Sequence, residues 1–123
     1  MSGARALGCA GVLLALATAC GAFGAHALRG QLTVERLALW ETAVRYQFFH
    51  ALGLLAVGLL LREQPTAPLR AAAVLLVAGV VLFSGSLYAL ALGAGRLLGV
   101  LTPLGGLSWV AGWLLFACGA WRR

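Results

Sequence analysis

The sequence has few charged residues for a chain of 123, since Asp, Glu, Lys and Arg together make up only 10% of it. Asp and Lys are absent, so that all nine basic residues are Arg and all three acidic residues are Glu. Hydrophobic residues make up 63% of the chain and its mean hydropathy is +1.00, far above the roughly half-apolar composition of soluble domains. We therefore expect a single small domain that folds within a lipid bilayer.

The sequence also lacks a basic stripe with interleaved aromatic residues, although its formal net charge is +6. The arginines are scattered at the ends of apolar runs, where membrane proteins place cations at the level of lipid headgroups. A nucleic-acid partner would require a basic footprint that is missing here. The expected partner is the lipid bilayer, and no nucleic acid is expected to bind.

Only three cysteines are present, Cys9, Cys20 and Cys118, and they share no metal-ligand spacing. All three stand in apolar runs, so we interpret them as small membrane-buried residues and expect neither a disulfide framework nor a metal site. Ser84 and Ser86 lack the sharp turn around a hydrolase nucleophile, and no Asp exists to orient a histidine. We therefore expect no enzymatic activity and no cofactor.

Four apolar runs are long enough to cross a hydrocarbon core of about 30 Å at about 1.5 Å per residue. The predicted spans are at about residues 6–28, 44–61, 70–95 and 102–121. Pro65 and Pro68 separate the second span from the third, and Thr102-Pro103 predicts an N-cap and first position for the fourth helix. Because short connectors place consecutive helices side by side, the predicted fold is an all-α integral membrane four-helix antiparallel bundle.

A charged, amphipathic segment at about residues 33–45 leads into the second span. Thr33 is a suitable N-cap, and Glu35 falls in the first turn, where the helix dipole favours an anion. Glu41 and Arg45 have the i,i+4 spacing of a helical ion pair. We expect this segment to lie in or enter the lipid–water interface.

The N-terminal run has a second interpretation as a processed leader. A basic start, the apolar residues 6–16 and the small residues that end at Cys20 are also typical of a cleaved or lipidated leader. Three further apolar runs follow, so we favour an uncleaved first span. Five arginines on the side of both termini against four on the other side favour cytoplasmic termini.

Polar side chains concentrate toward one end of the predicted bundle, because residues late in spans one and three face the same side as residues early in spans two and four. This candidate polar cluster comprises His26, Glu41, Arg45, Tyr46, Gln47, His50, Ser84, Ser86 and Tyr88. An ionisable group inside the bilayer costs about 2.5 kcal/mol or more on insertion scales, which makes it a functional candidate. The alternative for each residue is a structural hydrogen bond across helices or to its own turn.

Four sequence blocks follow one another along the chain: Gly21-Ala22-Phe23-Gly24-Ala25-His26-Ala27-Leu28; Trp40-Glu41-Thr42-Ala43-Val44-Arg45-Tyr46-Gln47 with His50-Ala51-Leu52; Ser84-Gly85-Ser86-Leu87-Tyr88; and Thr102-Pro103-Leu104-Gly105-Gly106 with Gly112-Trp113. In this order they resemble the domain-of-unknown-function family 423, small bacterial inner-membrane proteins of the YgdD and YwdK kind, similar to the eukaryotic transmembrane protein 256. The resemblance covers nearly the whole chain. It implies a four-helix protein of the bacterial inner membrane and no established reaction.

Three functional hypotheses follow from these observations. The first is a non-enzymatic accessory or assembly component that binds lipid, another membrane protein or a second copy of the chain. The second is a transport component whose polar half takes a small solute, ion or proton near Gln47, His50 and Tyr88, which would require an oligomer. The third is a haem-binding electron carrier that uses His26 and His50, although helix rise separates these residues by about 7 Å in depth.

Overall fold

The computed structural model describes residues 1–122, which form four long helices. Their bounds are Gly3–Leu28 (α1), Val34–Glu63 (α2), Ala67–Ala91 (α3) and, after a 3-10 turn at Arg96–Val100, Leu101–Trp121 (α4). No strand occurs within residues 1–122. The all-α fold class is confirmed, and all four helical segments are long and apolar enough to cross a membrane.

Side-chain caps fix the starts of the first two helices. Ser2 accepts the backbone N–H of Arg5, and Thr33 accepts the backbone N–H of Arg36, each at 3.2 Å. These bonds satisfy donors that have no partner within the helix, and the N-cap predicted at Thr33 is confirmed. Helix α2 then continues without a break through the charged segment into the apolar run, while the interfacial location of residues 33–45 stays a prediction.

Helix α4 does not begin at Thr102 as the sequence predicts. The 3-10 turn leads directly into the helix, with Val100 at the N-cap position in a helical backbone conformation and without a side-chain cap. The Thr102 hydroxyl instead lies 2.6 Å from that of Ser86 on α3. The prediction of an N-cap at Thr102 is therefore wrong, because this hydroxyl joins two helices.

Two of the helices contain a π-helical turn, at Gly24–Leu28 in α1 and at Val80–Ser84 in α3. Such a turn is wider than an α-helical one and shifts the residues that follow it around the helix axis. The turn in α3 brings the backbone of Phe83 against Gly105 of α4, where a Cβ atom would have no room. The contact between α3 and α4 therefore depends on a glycine facing the π turn.

The bundle is built from successive antiparallel pairs, in which α1 packs along α2, α2 along α3, and α3 along α4. Glycine allows close approach in two of these pairs: a Cβ at Gly58 would lie 3.0 Å from the Leu7 side chain, and one at Gly119 would lie 2.8 Å from Leu69. Small residues at helix contacts are the usual way for helices to pack tightly in lipid. Leu54 on α2 and Leu69 on α3 are fully buried in the core of the bundle.

Candidate functional site

Two close contacts fix the register between α1 and α2. Gly24 of α1 lies against the Trp40 ring of α2, and Gly58 of α2 lies against Leu7 of α1. The first residues of α2 therefore stand beside the end of α1, and His50 stands beside the middle of α1. This register sets the height of every candidate residue in the two helices.

A chain of hydrogen bonds through Gln47 joins three helices in the interior. The Tyr88 hydroxyl of α3 donates to Gln47 Oε1 at 2.7 Å, and Gln47 Nε2 donates to the Leu13 carbonyl of α1 at 2.8 Å. Gln47 is only 3% exposed. Interhelical hydrogen bonds in membranes contribute about 0.6 kcal/mol each on average and up to about 1.7 kcal/mol, so this chain stabilises the bundle.

The two serines of the candidate cluster also bond within the bundle. Ser84 Oγ donates to the Ala43 carbonyl of α2 at 2.8 Å, and Ser86 Oγ contacts both the Phe83 carbonyl at 2.9 Å and Thr102 Oγ1 at 2.6 Å. Both serines are buried. Their hydroxyls tie α3 to its neighbours on either side.

His50 lies in an aromatic stack between α2 and α4. Its imidazole is parallel to the Trp109 indole, with ring centroids 3.6 Å apart and an interplanar angle of 5°. His50 Nδ1 is 2.8 Å from the Tyr46 carbonyl, and since a carbonyl only accepts, Nδ1 carries the proton. The Tyr46 ring continues the stack, 6.0 Å from Trp109.

Three tryptophans that were not predicted as site residues join the helices. Each ring packs on a glycine of a neighbouring helix: Trp40 on Gly24, Trp109 on Gly79, and Trp113 on Gly53. Trp40 Nε1 donates to the Cys20 carbonyl at 2.8 Å, and Trp109 Nε1 donates to the Leu76 carbonyl at 3.1 Å. The available signal was a tryptophan on one predicted span with glycines on the others.

Glu41 and Arg45 face outward, unlike the buried residues of the cluster. Both are exposed, and within the described residues neither forms an ion pair. The predicted ion pair between them is therefore not formed, because an i,i+4 pair gains only a few tenths of a kcal/mol, too little to hold two exposed side chains together. Both border a cleft of about 250 Å³ between α1 and α2, lined by Gly21, Gly24, Ala25, Trp40, Glu41, Val44 and Arg45.

His26 is exposed in the π turn at the end of α1. Because Gly24 lies beside Trp40, His26 stands roughly eleven residues of α2 away from the level of His50, or about 16 Å. One histidine is on the outer surface and the other is stacked on Trp109. These two histidines are not placed to ligate a single haem iron.

The cluster thus divides into three groups. The first group forms hydrogen bonds between helices and consists of Gln47, Ser84, Ser86 and Tyr88. The second group belongs to the aromatic stack and consists of Tyr46 and His50. The third group, His26, Glu41 and Arg45, lies outside, and within residues 1–122 no three His, Cys, Asp or Glu side chains could hold a metal ion together. Four apolar helices joined by these bonds define a multi-pass α-helical membrane protein.

Comparison with known proteins identifies its family. The family model described as protein of unknown function (DUF423) matches residues 20–106, and the chain belongs to this family. It is 50% identical over 95 residues to a UPF0382 membrane protein of Staphylococcus haemolyticus (strain JCSC1435), covering 77% of each chain. The resemblance inferred from the four sequence blocks is thereby confirmed.

Two relatives from other bacteria match more of the chain. The UPF0382 membrane protein YwdK of Bacillus subtilis (strain 168) is 42% identical over 106 residues, covering 85% of this chain and 86% of the relative. The UPF0382 inner membrane protein YgdD of Escherichia coli (strain K12) is 41% identical over 104 residues, covering 85% and 79%. No solved structure matches the chain. The protein is a multi-pass protein of the bacterial inner (plasma) membrane, from a family without an established molecular function.

Proposed function

We propose that this protein is a non-enzymatic component of the membrane that acts by binding another membrane constituent at the outer face of α1 and α2. One contrast carries the proposal. The buried polar side chains of the candidate cluster are hydrogen-bonded within the bundle, whereas Glu41 and Arg45 face an open cleft without ion-pair partners among the described residues. Polar groups that a membrane protein leaves unpaired toward lipid are costly. A binding partner at this face would remove that cost.

The bonding of the serines supports a role without catalysis. The Ser84 hydroxyl donates to a backbone carbonyl, and the Ser86 hydroxyl contacts a carbonyl and the hydroxyl of Thr102. His50 directs its protonated nitrogen to the Tyr46 carbonyl. An activated nucleophile needs a base within hydrogen-bond reach, and among the described hydrogen bonds none joins a serine to a histidine.

The transport alternative has weaker support from the same contacts. A solute or proton that crosses the bundle would have to exchange partners with polar groups along its path. Gln47 and Tyr88 bond to each other, and Gln47 also bonds to a carbonyl of α1. Each of these bonds would have to break, which costs more in a bilayer than in water.

Site-specific photocrosslinking in intact cells tests the proposal. A photoreactive residue at Ala25, which lines the cleft, is compared with one at Val110, which is exposed on α4. We expect discrete adducts from position 25, to a protein, a second copy of the chain or a lipid, and only diffuse lipid labelling from position 110. Identical labelling from both positions, together with a lone monomer in mild detergent that retains no lipid, would contradict the proposal.

A further inference from the structure

Glu41 and Arg45 lie deeper along the bundle than the arginines near the end of α1 and the start of α2. No charged residue occurs in α1 between Arg5 and Arg29, which gives a rise of about 36 Å, close to the hydrocarbon thickness of a bilayer. The register of α1 and α2 brings Arg36 to about the level of Arg29. By helix rise Glu41 is then about 7.5 Å inside this level and Arg45 about 13.5 Å inside it.

The two charged residues stand one helical turn apart on α2, and both line the same cleft. Arg45 has the longer side chain, and because side chains on a helix lean toward its N-terminus, its guanidinium can reach the level of Glu41, as a long basic side chain does when it snorkels. Because the residues are one turn apart, their Cβ atoms are about 5–6 Å apart. A cation and an anion therefore stand side by side at the cleft, without ion-pair partners in the described residues.

We propose that this cleft binds the headgroup of a zwitterionic aminophospholipid such as phosphatidylethanolamine. The Arg45 guanidinium donates to the phosphate, and the Glu41 carboxylate accepts from the primary ammonium. The small residues Gly21, Gly24 and Ala25 form the opposite wall. The inference rests on the proposed function and names the membrane constituent that the outer face of α1 and α2 binds.

The charges at the cleft select this chemical class. An anionic headgroup would pair with Arg45 but be repelled by Glu41. A cationic group would pair with Glu41 but be repelled by Arg45. A zwitterion pairs with both residues at once. A phosphate and an ammonium joined by two carbons are close enough together to reach two side chains whose Cβ atoms are about 5–6 Å apart. Choline also carries a positive charge, but it has no N–H to donate to a carboxylate, and hydrogen bonds to charged groups are the stronger ones.

The volume and position of the cleft agree with a lipid ligand. About 250 Å³ accommodates a small headgroup, and the cleft opens on the outer face of the bundle, where acyl chains lie. The Trp40 ring lines it with only 6% exposure, and its Nε1–H is already donated to the Cys20 carbonyl. Headgroup recognition is therefore assigned to the two charged side chains alone.

Native mass spectrometry of the full chain, released from vesicles of equal phosphatidylethanolamine, phosphatidylcholine and phosphatidylglycerol, tests this assignment. We expect roughly tenfold enrichment of phosphatidylethanolamine over phosphatidylcholine, the factor expected from one charged hydrogen bond. Glu41→Gln should abolish this preference, and Arg45→Gln should reduce retention of all three lipids. The matched control is the double variant Arg62→Gln/Glu63→Gln, which removes an exposed Arg and Glu at the opposite end of α2 and should keep the preference.

Three results would overturn the assignment. The first is equal retention of the three lipids by the wild type. The second is an unchanged preference in the Glu41→Gln and Arg45→Gln variants, with wild-type thermal unfolding as evidence that they fold. The third is displacement by soluble phosphoethanolamine, which would identify a free phosphate compound as the ligand. If position 25 still crosslinks to a protein or a second copy, the lipid assignment fails and the proposed function stands.

Discussion

The imidazole of His50 on α2 lies flat on the indole of Trp109 on α4, with ring centroids 3.6 Å apart. The same indole donates to the Leu76 carbonyl of α3 and packs on Gly79. Trp109 therefore contacts both α2 and α3 from α4. Because α4 packs mainly along α3, the His50–Trp109 stack is one of the few contacts that join the second helix to the fourth.

Replacing Trp109 with Ala should strongly destabilise the bundle. Large-to-small changes of a buried tryptophan cost about 3–5 kcal/mol, from lost burial and the cavity left behind, and this one also removes the bond to Leu76. Unfolding in mild detergent on titration with SDS measures the change. Trp121→Ala is the control, because Trp121 is 89% exposed and should shift stability by less than about 0.5 kcal/mol. Equal shifts for the two variants would contradict the role given to Trp109.

Adding one methyl group at Gly79 should also weaken the contact between α3 and α4. A Cβ at this position runs into the Trp109 ring, and overpacking costs about 1–3 kcal/mol. Gly106→Ala is the matched control on α4, where a Cβ meets nothing within 4 Å. There the better helix propensity of Ala should leave stability unchanged or raise it by up to about 1 kcal/mol. The same SDS titration compares them, and no loss from Gly79→Ala would show that the helices are less closely packed.

The two hydrogen bonds of Gln47 should each contribute measurably to the stability of the bundle. Tyr88→Phe removes one bond and Gln47→Leu removes both, so we expect losses of about 0.6 kcal/mol and about 1.2 kcal/mol from the average value for such bonds. Unfolding of the double variant completes a cycle that isolates the Gln47–Tyr88 bond. Thr18→Val is the control, because the exposed Thr18 hydroxyl bonds only to its own turn at Leu14. A coupling energy of zero would mean that Gln47 and Tyr88 do not interact.

Purified protein in liposomes should conduct no ions or protons above the level of empty liposomes. The reason is that the interior polar groups are already bonded to one another and to carbonyls. Fluorescent pH and ion indicators inside the vesicles measure the flux. A flux that is present in the wild type and disappears when both His50 and Glu41 are replaced would instead support the transport hypothesis.

The sequence predicted the architecture because length and hydropathy are local properties. Three of the helices cover the apolar runs predicted for them, whereas α3 ends at Ala91 and not at residue 95 as predicted, because the chain turns at Gly93, which has a positive φ of 101°. The break around Pro65 and Pro68 separates α2 from α3 as expected. The cap at Thr33 was also predictable, since a cap depends on residues within one turn. Family membership followed from the order of four short blocks and was confirmed.

The arrangement of the candidate cluster could not be predicted from local sequence, because it depends on how the helices pack against one another. Alternating helix direction brings polar residues to one end, but the face on which each lies depends on helix rotation and register. Ser84 is the last residue of a π turn at Val80–Ser84, which the composition does not predict. The Thr102 hydroxyl contacts Ser86, although the local sequence predicted a helix cap. Packing between helices determines such contacts, and the hydrophobic periodicity of a single helix does not predict them.

Two backbone carbonyls of helix α1, those of Leu13 and Cys20, accept hydrogen bonds from Gln47 and Trp40 of α2. A carbonyl is the same atom whatever side chain its residue carries. The outward positions of the first helix can therefore drift among apolar residues during evolution without loss of its attachment, provided that Gly24 keeps room for the indole. Selective constraint on this pair of helices should accordingly fall on the donors of the second helix.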